Sequence, residues 1–234
     1  MCHILKHPFA VIMYKISIEP EDLEKLELGY FTGEVKVIDH YGIAFLKAID
    51  YLKKQTVIGF DTESRPCFEP HHKSYGVSLL QLSGQDKAFL FRVKKMGMHK
   101  KLCRLLANEN ILKVGAAVAD DIRGLQRYNY FEAGNFVDLQ KIAWEWGIKD
   151  KSVKKLTANI LGFRISKTQQ LSNWEAEPLT DAQIRYASTD AWVCRQMYIK
   201  LLESEKHPLT PEQLAPPPPP QQTVEEKNLE ENNG

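Results

Sequence analysis

The stretch Val57-Ile58-Gly59-Phe60-Asp61-Thr62-Glu63 runs from an apolar segment directly into two carboxylates. A short apolar run with β-branched residues is typical of a buried strand, and the two-residue repeat of a strand places Asp61 and Glu63 on the same side. Two like charges at the end of a buried strand repel each other and lose hydration, and a divalent cation would compensate both effects. Taken alone, the stretch is explained more simply by a strand that ends in a solvated acidic turn.

The overall composition is that of an ordinary soluble globular protein. Of the 234 residues, 43% are hydrophobic and 26% are charged. This length suffices for one domain of roughly 150–200 residues with additions at its ends. The formal net charge is only +1. Bulk charge therefore does not bring this chain to nucleic acid or to membranes, and a partner of either class must meet a local patch.

Cysteine spacing and hydropathy indicate a cytoplasmic protein. The cysteines at positions 2, 67, 103 and 194 are scattered and form no C-x-x-C pair, which is typical of reduced thiols in a cytosolic compartment. No apolar run approaches the roughly 20 residues of a membrane-spanning helix. The apolar run at 9–13 is too short for a secretory signal. We therefore expect a cytoplasmic location and no membrane partner.

Hydrophobic periodicity predicts an α/β fold in which strands come first. Apolar runs at 57–63, 77–82 and 88–91 follow one another without an intervening helix, so these three strands are expected to pair antiparallel. Single strands and helices alternate afterwards, which predicts a mixed sheet flanked by helices. The other predicted strands are 35–38, 111–114 and 136–137, and the predicted helices are 41–54, 98–106, 118–130, 139–146, 153–160 and 181–203.

The chain is expected to divide into three parts. An N-terminal extension at 1–34 precedes a domain at 35–205, and a tail follows at 206–234. The tail contains five consecutive prolines at 216–220 and then mostly polar residues. Such a composition buries no core, so we expect an extended or disordered segment. A proline-rich segment can also dock onto an aromatic groove of a protein partner.

Two further acidic sites lie on predicted helices. Tyr186 and Asp190 are four residues apart, so they share one face of the long C-terminal helix, with Asp190 at its buried boundary. Asp120 and Asp121 follow a strand and a small-residue turn, and they stand in the first turn of the next helix. Simpler roles exist for all of them: Tyr186 as a packed aromatic, and the two neighbouring acids as charges that stabilise a helix start.

Together these stretches resemble the DEDD superfamily of 3′–5′ exonucleases. The motifs are F-D-T-E-S-R-P at 60–66, K-V-G-A-A-V-A-D-D at 113–121 and Y-A-S-T-D at 186–190, in the order that the family uses. The tyrosine in the third motif indicates the tyrosine (DEDDy) branch, to which ribonuclease D and Werner-type exonuclease domains belong. The resemblance implies a ribonuclease H-like fold and assigns 35–205 as the 3′–5′ exonuclease domain.

The resemblance also implies a metal site of carboxylates. Asp61, Glu63, Asp121 and Asp190 would hold two divalent cations, Mg²⁺ or Mn²⁺, which are hard ions that prefer oxygen ligands. Asp61 would bridge both ions, and Asp120 is the alternative to Asp121. Two such ions activate a water and neutralise the leaving 3′ oxygen in phosphodiester hydrolysis. Tyr186 would orient the attacking water.

The expected substrate is the 3′ end of DNA or RNA, with release of nucleoside 5′-monophosphates. Thr62, between two ligands, and Lys167, which resembles a basic position near the phosphates, are the candidate substrate-binding residues. For Lys167, a merely solvated lysine is an equal alternative. The alternative for the whole chain is a catalytically silent exonuclease-like fold that binds nucleic acid or a protein. A silent relative is expected to have lost a metal-binding carboxylate, and none is missing here.

Overall fold

The computed structural model describes residues 13–67 and 75–215. A single six-stranded sheet organises this part of the chain, with the strand order β1-β4-β3-β2-β5-β6. The strands are β1 Glu34–Ile38, β2 Val57–Ser64, β3 Val77–Ser83, β4 Lys87–Phe91, β5 Leu112–Gly115 and β6 Phe136–Asp138. The helices are α1 Pro20–Lys25, α2 Ile43–Leu52, α3 Val93–Met96, α4 Lys100–Leu106, α5 Val118–Gln126, α6 Leu139–Ile142, α7 Val153–Leu161, α8 Asp181–Leu202 and α9 Pro211–Leu214, with a 3₁₀ turn at Ala143–Trp146.

The predicted antiparallel trio is confirmed. Strand β2 pairs antiparallel with β3, and β3 pairs antiparallel with β4. Strand β5 then lies parallel to β2, and β6 lies parallel to β5. The early strand β1 joins the far edge parallel to β4, a position that the sequence pattern does not indicate. The sheet is therefore mixed and flanked by helices, as predicted.

The two faces of the sheet bury different sets of side chains. Phe60 and Leu80 point into a core shared with α2 and α4. Leu79, the residue before Leu80 in β3, points to the opposite face of the sheet, where it packs with Trp174 and with Ala187 of α8. Because side chains alternate along β2, Asp61 and Glu63 face the same side as α8. The long helix α8 thus covers the face that carries both carboxylates.

Helix α8 lies unusually close to β2 at Gly59. A Cβ atom built on Gly59 would overlap the backbone carbonyl oxygen of Ala191, so only a glycine permits this approach. The start of α8 is fixed by a capping box, in which Thr180 accepts from the backbone of Gln183 and the Gln183 side chain accepts from the backbone of Thr180. The approach of helix to strand brings the residue before Ala191, which is Asp190, to the end of β2.

Two predicted segments need correction. The helix predicted to reach residue 130 ends at Gln126, and just beyond it the Tyr128 hydroxyl donates to the carbonyl of Val77 at 2.7 Å, which anchors the chain to β3. The segment predicted to be unstructured from 206 contains helix α9 and a buried Leu209, whose N–H donates to the Trp144 carbonyl at 2.9 Å. Overall composition does not predict α9, because this short helix is started by a local signal, the capping box formed by Thr210 and Gln213.

Other predicted parts of the chain lie outside the described residues. The five prolines at 216–220 are among them, so their extended conformation and their proposed protein partner stay predictions. Of the N-terminal extension, residues 13–34 are described, and they pack against the domain. The Ser17 hydroxyl and the Ile18 N–H both donate to Asp150, at 2.7 and 2.8 Å. Within the described ranges, no helix is both long enough and apolar enough to cross a bilayer.

We predict that Gly59→Ala lowers the free energy of unfolding by about 1–3 kcal/mol, because the added methyl group forces α8 away from β2. Urea denaturation followed by circular dichroism measures this change. The matched control is Gly162→Asn, since Gly162 has a left-handed φ of 77° and no atom within 4 Å of an added Cβ. Equal stability of Gly59→Ala and the parent would contradict the close packing of α8.

Candidate active site

Three carboxylates meet where β2 ends beneath α8. Oxygen atoms of Asp61, Glu63 and Asp190 lie within 4.8 Å of one another. Asp190 is buried, whereas Asp61 and Glu63 are half-buried and open toward a cleft. The strand period supplies the first two residues, and the close contact at Gly59 supplies the third. Residues up to 129 positions apart in sequence therefore form one acidic cluster.

Asp121 lies beside this cluster and not within it. The Thr62 hydroxyl donates a hydrogen bond to Asp121 at 2.5 Å, which links the first turn of α5 to the end of β2. The neighbouring Asp120 has a side chain that is 87% exposed and pairs with Arg123. Between the two alternatives left by the sequence, Asp121 is the acid that faces the site.

The turn before α5 orients the N-terminal end of this helix toward the site. Ala117 precedes the helix with a left-handed φ of 58°, and its N–H donates to Asp138 at 3.0 Å. Asp138 ends β6, caps α6 through the N–H of Gln140 and is itself buried. The buried Asp138 thus fixes the turn that presents Asp121. The small-residue run Gly115-Ala116-Ala117 permits this sharp reversal.

Burial raises the pKa values of the carboxyl groups in this site, and neighbouring carboxylate charges add to the rise in Asp61 and Glu63. Burial, followed by the charges of Asp190 and Asp121, raises the pKa of Asp61 well above its usual value. Burial, then the charge of Asp61, raises the pKa of Glu63 to about 10. Burial also raises the pKa of Asp190 to about 7 and that of Asp121 to about 6. The folded protein therefore binds protons here, or another positive charge, more tightly than an unfolded chain does.

Tyr186 acts in this site as a protonated hydroxyl. Burial and the charge of Asp190 raise the pKa of Tyr186 far above its usual value. Its hydrogen bond to Asp190 and the charge of Lys167 partly offset the rise in the pKa of Asp190. The Tyr186 ring lies 5.8 Å from the ring of the fully buried Trp174. The raised pKa keeps the Tyr186 hydroxyl protonated, and this hydroxyl donates a hydrogen bond to Asp190.

A cleft of about 300 Å³ opens over the carboxylates. It is lined by Asp61, Thr62, Glu63, Tyr186 and Asp190, and Lys167 is also part of its wall. All but one of the seven candidate site residues predicted from the sequence therefore line one cleft, and Asp121 touches it through Thr62. Their individual roles stay predictions.

Sequence reasoning missed several polar residues of this region. Gln140, Ser152, Lys154 and Gln170 line the same cleft, and no local pattern distinguishes them from surface residues. Gln81 is different, because it is a fully buried amide directly opposite Asp61 in the β2–β3 register. Neither polar atom of its side chain has a partner in the described part of the chain. A glutamine inside an otherwise apolar strand is a signal that could have found it.

Comparison with known proteins assigns this arrangement to a family. A family model described as 3′-5′ exonuclease matches residues 43–204. This chain belongs to the 3′-5′ exonuclease family. The family resemblance predicted from the motifs is therefore confirmed, and Tyr186 in the third motif fits its tyrosine branch. The acidic cluster, the Tyr186–Asp190 pair and the cleft all lie within the matched region.

Relatives of the exonuclease family share sequence and fold with this chain. It is 33% identical over 156 residues to the bifunctional 3′-5′ exonuclease/ATP-dependent helicase WRN of Mus musculus, covering 62% of this chain and 11% of WRN. The EXO domain of Aedes aegypti Nibbler has a TM-score of 0.63 at 24% identity, covering 74% of this chain and 90% of that domain. Trypanosoma brucei RNase D in complex with RNA U12 has a TM-score of 0.63 at 19% identity, covering 74% of this chain and 63% of that protein.

These similarities confirm the predicted ribonuclease H-like fold class. They extend over only part of the relatives, since the chain spans less than half the length of the first curated proteins that it matches. The family supports a nuclease that acts on nucleic acid and uses divalent metal. The donor set fits such a metal, because Asp61, Glu63 and Asp190 offer only oxygen ligands, and among the residues that the structure describes no histidine or cysteine joins their cluster.

We predict that the metal-free protein loses stability as the pH rises from about 4 to 7. The folded pKa values of Asp190 and Asp121 are about 7 and 6, above the roughly 4 of an unfolded aspartate. The folded state therefore holds more protons in this window, and deprotonation costs stability as the pH rises. Mn²⁺ binds the deprotonated acids, so it should raise Tm more at pH 8 than at pH 5. At a concentration 100 times its Kd, the rise at pH 8 should be about 5–11 °C.

Differential scanning fluorimetry with and without Mn²⁺ at both pH values tests this expectation. Asp190→Asn should abolish most of the Mn²⁺-dependent rise at pH 8. Asp120→Asn is the matched control, because Asp120 is exposed and paired with Arg123, and it should respond like the parent. A full Mn²⁺ response in Asp190→Asn would show that the ion binds elsewhere.

Proposed function

We propose that this protein is a metal-dependent 3′–5′ exonuclease that hydrolyses the terminal phosphodiester bond of nucleic acids and releases nucleoside 5′-monophosphates. The observation that supports this activity best is the convergence of Asp61, Glu63 and Asp190 within 4.8 Å of one another. The cleft above them is about 300 Å³ in volume, and Tyr186 and Lys167 stand in its wall. Acidic oxygens, a hydroxyl and a cation are the groups that phosphodiester hydrolysis requires.

Each residue has a distinct proposed task. Asp61, Glu63 and Asp190 would hold one divalent cation, and Asp61 with Asp121 would hold a second, either Mg²⁺ or Mn²⁺. When bound, such ions activate a water and neutralise the charge on the leaving 3′ oxygen. Tyr186, whose hydroxyl donates to Asp190, would accept a hydrogen bond from the attacking water and so orient it.

Further residues assist substrate binding and ligand placement. Thr62 holds Asp121 through its hydroxyl at 2.5 Å. Its backbone, between Asp61 and Glu63, would approach the 3′ nucleotide of a substrate. Lys167 attracts the phosphates into the cleft, since its charge reaches Asp190 at the bottom of that cleft.

The alternative function is a silent module that binds nucleic acid or a protein without cleaving. The intact set of Asp61, Glu63, Asp121 and Asp190 argues against it, as does the hydrogen bond between Tyr186 and the buried Asp190. Four acids whose pKa values are raised by burial, and in Asp61 and Glu63 also by neighbouring carboxylate charges, destabilise the folded state when they are ionised and no cation is bound. A module relieved of catalysis would gain stability by replacing at least one.

We propose that the substrate is a 3′ end of DNA or RNA, met in the cytoplasm. The relatives include both nucleic-acid classes by name, since one from Aquifex aeolicus is named DNA polymerase I and the RNase D structure contains RNA U12. The scattered cysteines support a reducing compartment, and Cys103 and Cys194 are buried free thiols. Matched DNA and RNA strands of one sequence, digested side by side, decide the substrate class. Fractionation of cells that express a tagged chain tests the location.

We predict stepwise shortening of 5′-labelled single strands by the purified protein in Mg²⁺ or Mn²⁺, with 5′-mononucleotides as products. Asp61→Asn and Asp190→Asn should each reduce kcat by a factor on the order of 10³, since a lost metal ligand removes several kcal/mol of transition-state stabilisation. Tyr186→Phe should lose less, about 10- to 100-fold, because it misplaces the water and keeps the ions.

The control for this experiment is Asp120→Asn, the exposed neighbour of Asp121, which should digest at the parental rate. Strands labelled at the 3′ end should release labelled mononucleotide at once, which establishes the direction of digestion. Absence of shortening by the parent, or parental rates in Asp61→Asn, would rule out the proposed activity.

A further inference from the structure

A second pocket lies against the other side of the Tyr186–Asp190 pair. Its volume is about 200 Å³, and we call it the Tyr30 pocket. The residues that define it are Tyr30, Ser166, Thr168, Arg185, Tyr186 and Asp190. Ser166, Tyr186 and Asp190 also line the catalytic cleft, so the two pockets share part of their walls. Whatever fills the Tyr30 pocket therefore lies next to the metal-binding carboxylates.

One wall of this pocket comes from the N-terminal segment, which is fixed firmly to the domain. The N–H of Gly29 donates to the Arg164 carbonyl at 2.8 Å, and the Arg164 N–H donates to the Glu27 carbonyl at 2.9 Å. A Cβ at Gly29 would overlap the ring of Phe163, so the segment lies flat on that ring. These contacts fix the backbone before Tyr30.

The backbone after Tyr30 is fixed as well. The N–H of Phe31 donates to the Thr189 hydroxyl of α8 at 3.0 Å. The Phe31 side chain is buried, and its ring lies 5.8 Å from that of Trp192. Tyr30 is therefore held from both sides, although its own side chain is 46% exposed. A large aromatic ring is thus presented to solvent at a fixed position beside the site.

The chemistry of the Tyr30 pocket suits a nucleobase. The Arg185 guanidinium lies 4.8 Å from the centre of the Tyr30 ring, so the pocket offers an aromatic face together with a delocalised cation. Aromatic and arginine planes are the surfaces on which unpaired bases stack. The hydroxyls of Ser166 and Thr168, 2.9 Å apart, add polar groups that can contact base edges or sugar. Arg185 also adds positive charge next to a cluster that otherwise repels phosphate.

We infer that the Tyr30 pocket binds one nucleobase of the substrate strand within about two nucleotides of the scissile phosphate, with Tyr30 as the stacking face. This inference rests on the proposed exonuclease function. The family match begins at residue 43, so the stacking face comes from a segment outside the region that defines the family. The occupant is one base and not a peptide helix, because a helix is about 10–12 Å wide and 200 Å³ cannot hold it.

Base-specific fluorescence measures this binding without turnover. Single-stranded 12-nucleotide probes carry 2-aminopurine at the terminal, the second or the sixth position from the 3′ end. They are titrated in Ca²⁺, and gel electrophoresis confirms that the probes stay intact. The parent should quench 2-aminopurine at one of the last two positions and not at the sixth. Tyr30→Ala should lose that quenching and weaken binding about 5- to 140-fold, which is the value of one stacked base.

Three further variants separate stacking from a structural effect. Tyr30→Trp should retain quenching and affinity, because indole stacks at least as well as phenol. Tyr130→Ala is the matched control, because Tyr130 is 74% exposed and lines a different pocket, and it should bind like the parent. A probe with an abasic nucleotide at the quenched position should bind the parent weakly, and Tyr30→Ala should weaken it no further. A purely structural role for Tyr30 would weaken both probes equally.

The outcomes distinguish this inference from the proposed function. Unchanged affinity and quenching in Tyr30→Ala, with digestion by the parent intact, would overturn the pocket assignment and leave the exonuclease standing. Position-dependent quenching by a parent that never shortens the strand would support the pocket assignment and overturn the exonuclease. Equal losses of affinity for the intact and abasic probes would also overturn the stacking role.

Discussion

The site depends on one steric constraint, the contact between the backbone of α8 and Gly59 of β2. The carbonyl oxygen of Ala191 occupies the space in which any other residue at 59 would carry its Cβ atom. Asp190 stands one residue before this contact, and Asp61 stands two residues after Gly59 on the same side of the strand. The regular geometry of the helix and of the strand then places these carboxylates close together. A longer helix-to-strand distance would leave the motifs intact in sequence and separate them in space.

The rest of the fold holds this contact against electrostatic repulsion. Burial raises the pKa values of Asp61, Glu63 and Asp190, and neighbouring carboxylate charges raise those of Asp61 and Glu63 further, so the ionised cluster opposes folding when no cation is bound. Helix α8 stays in place against this repulsion because it is 22 residues long and begins with a capping box. It also buries Val193, Met197 and Leu201 in a core with α7. Apolar burial along α8 stabilises the folded state, and this offsets the destabilising effect of the ionised acids. The packing of α8 in this core therefore keeps the acidic cluster assembled in the absence of a bound cation.

Local geometry explains which parts could be predicted from the sequence. The pairs Asp61–Glu63 and Tyr186–Asp190 follow from the periods of a strand and a helix, and the antiparallel trio follows from turn signals. That the two pairs meet does not follow from either period, and only the family resemblance indicated it. The choice between Asp120 and Asp121 required the α5 turn, where the left-handed Ala117 sets which acid faces Thr62. Leu209 and α9 were missed because a short capped helix was hidden in a segment judged by its composition.

Tyr30 was beyond sequence reasoning for a different reason, since no periodic pattern marks a single exposed aromatic in an extended segment. Its position depends on contacts with residues more than 130 positions away, at Arg164 and Thr189. If Tyr30 stacks a base as proposed, chemistry and substrate binding come from different parts of the chain. A stacking face accepts every base but requires that the base be unpaired and unstacked from its neighbours. The Tyr30 pocket would then favour strand ends whose bases are unpaired, whatever their sequence. A paired end must first break its base pairs to reach the carboxylates.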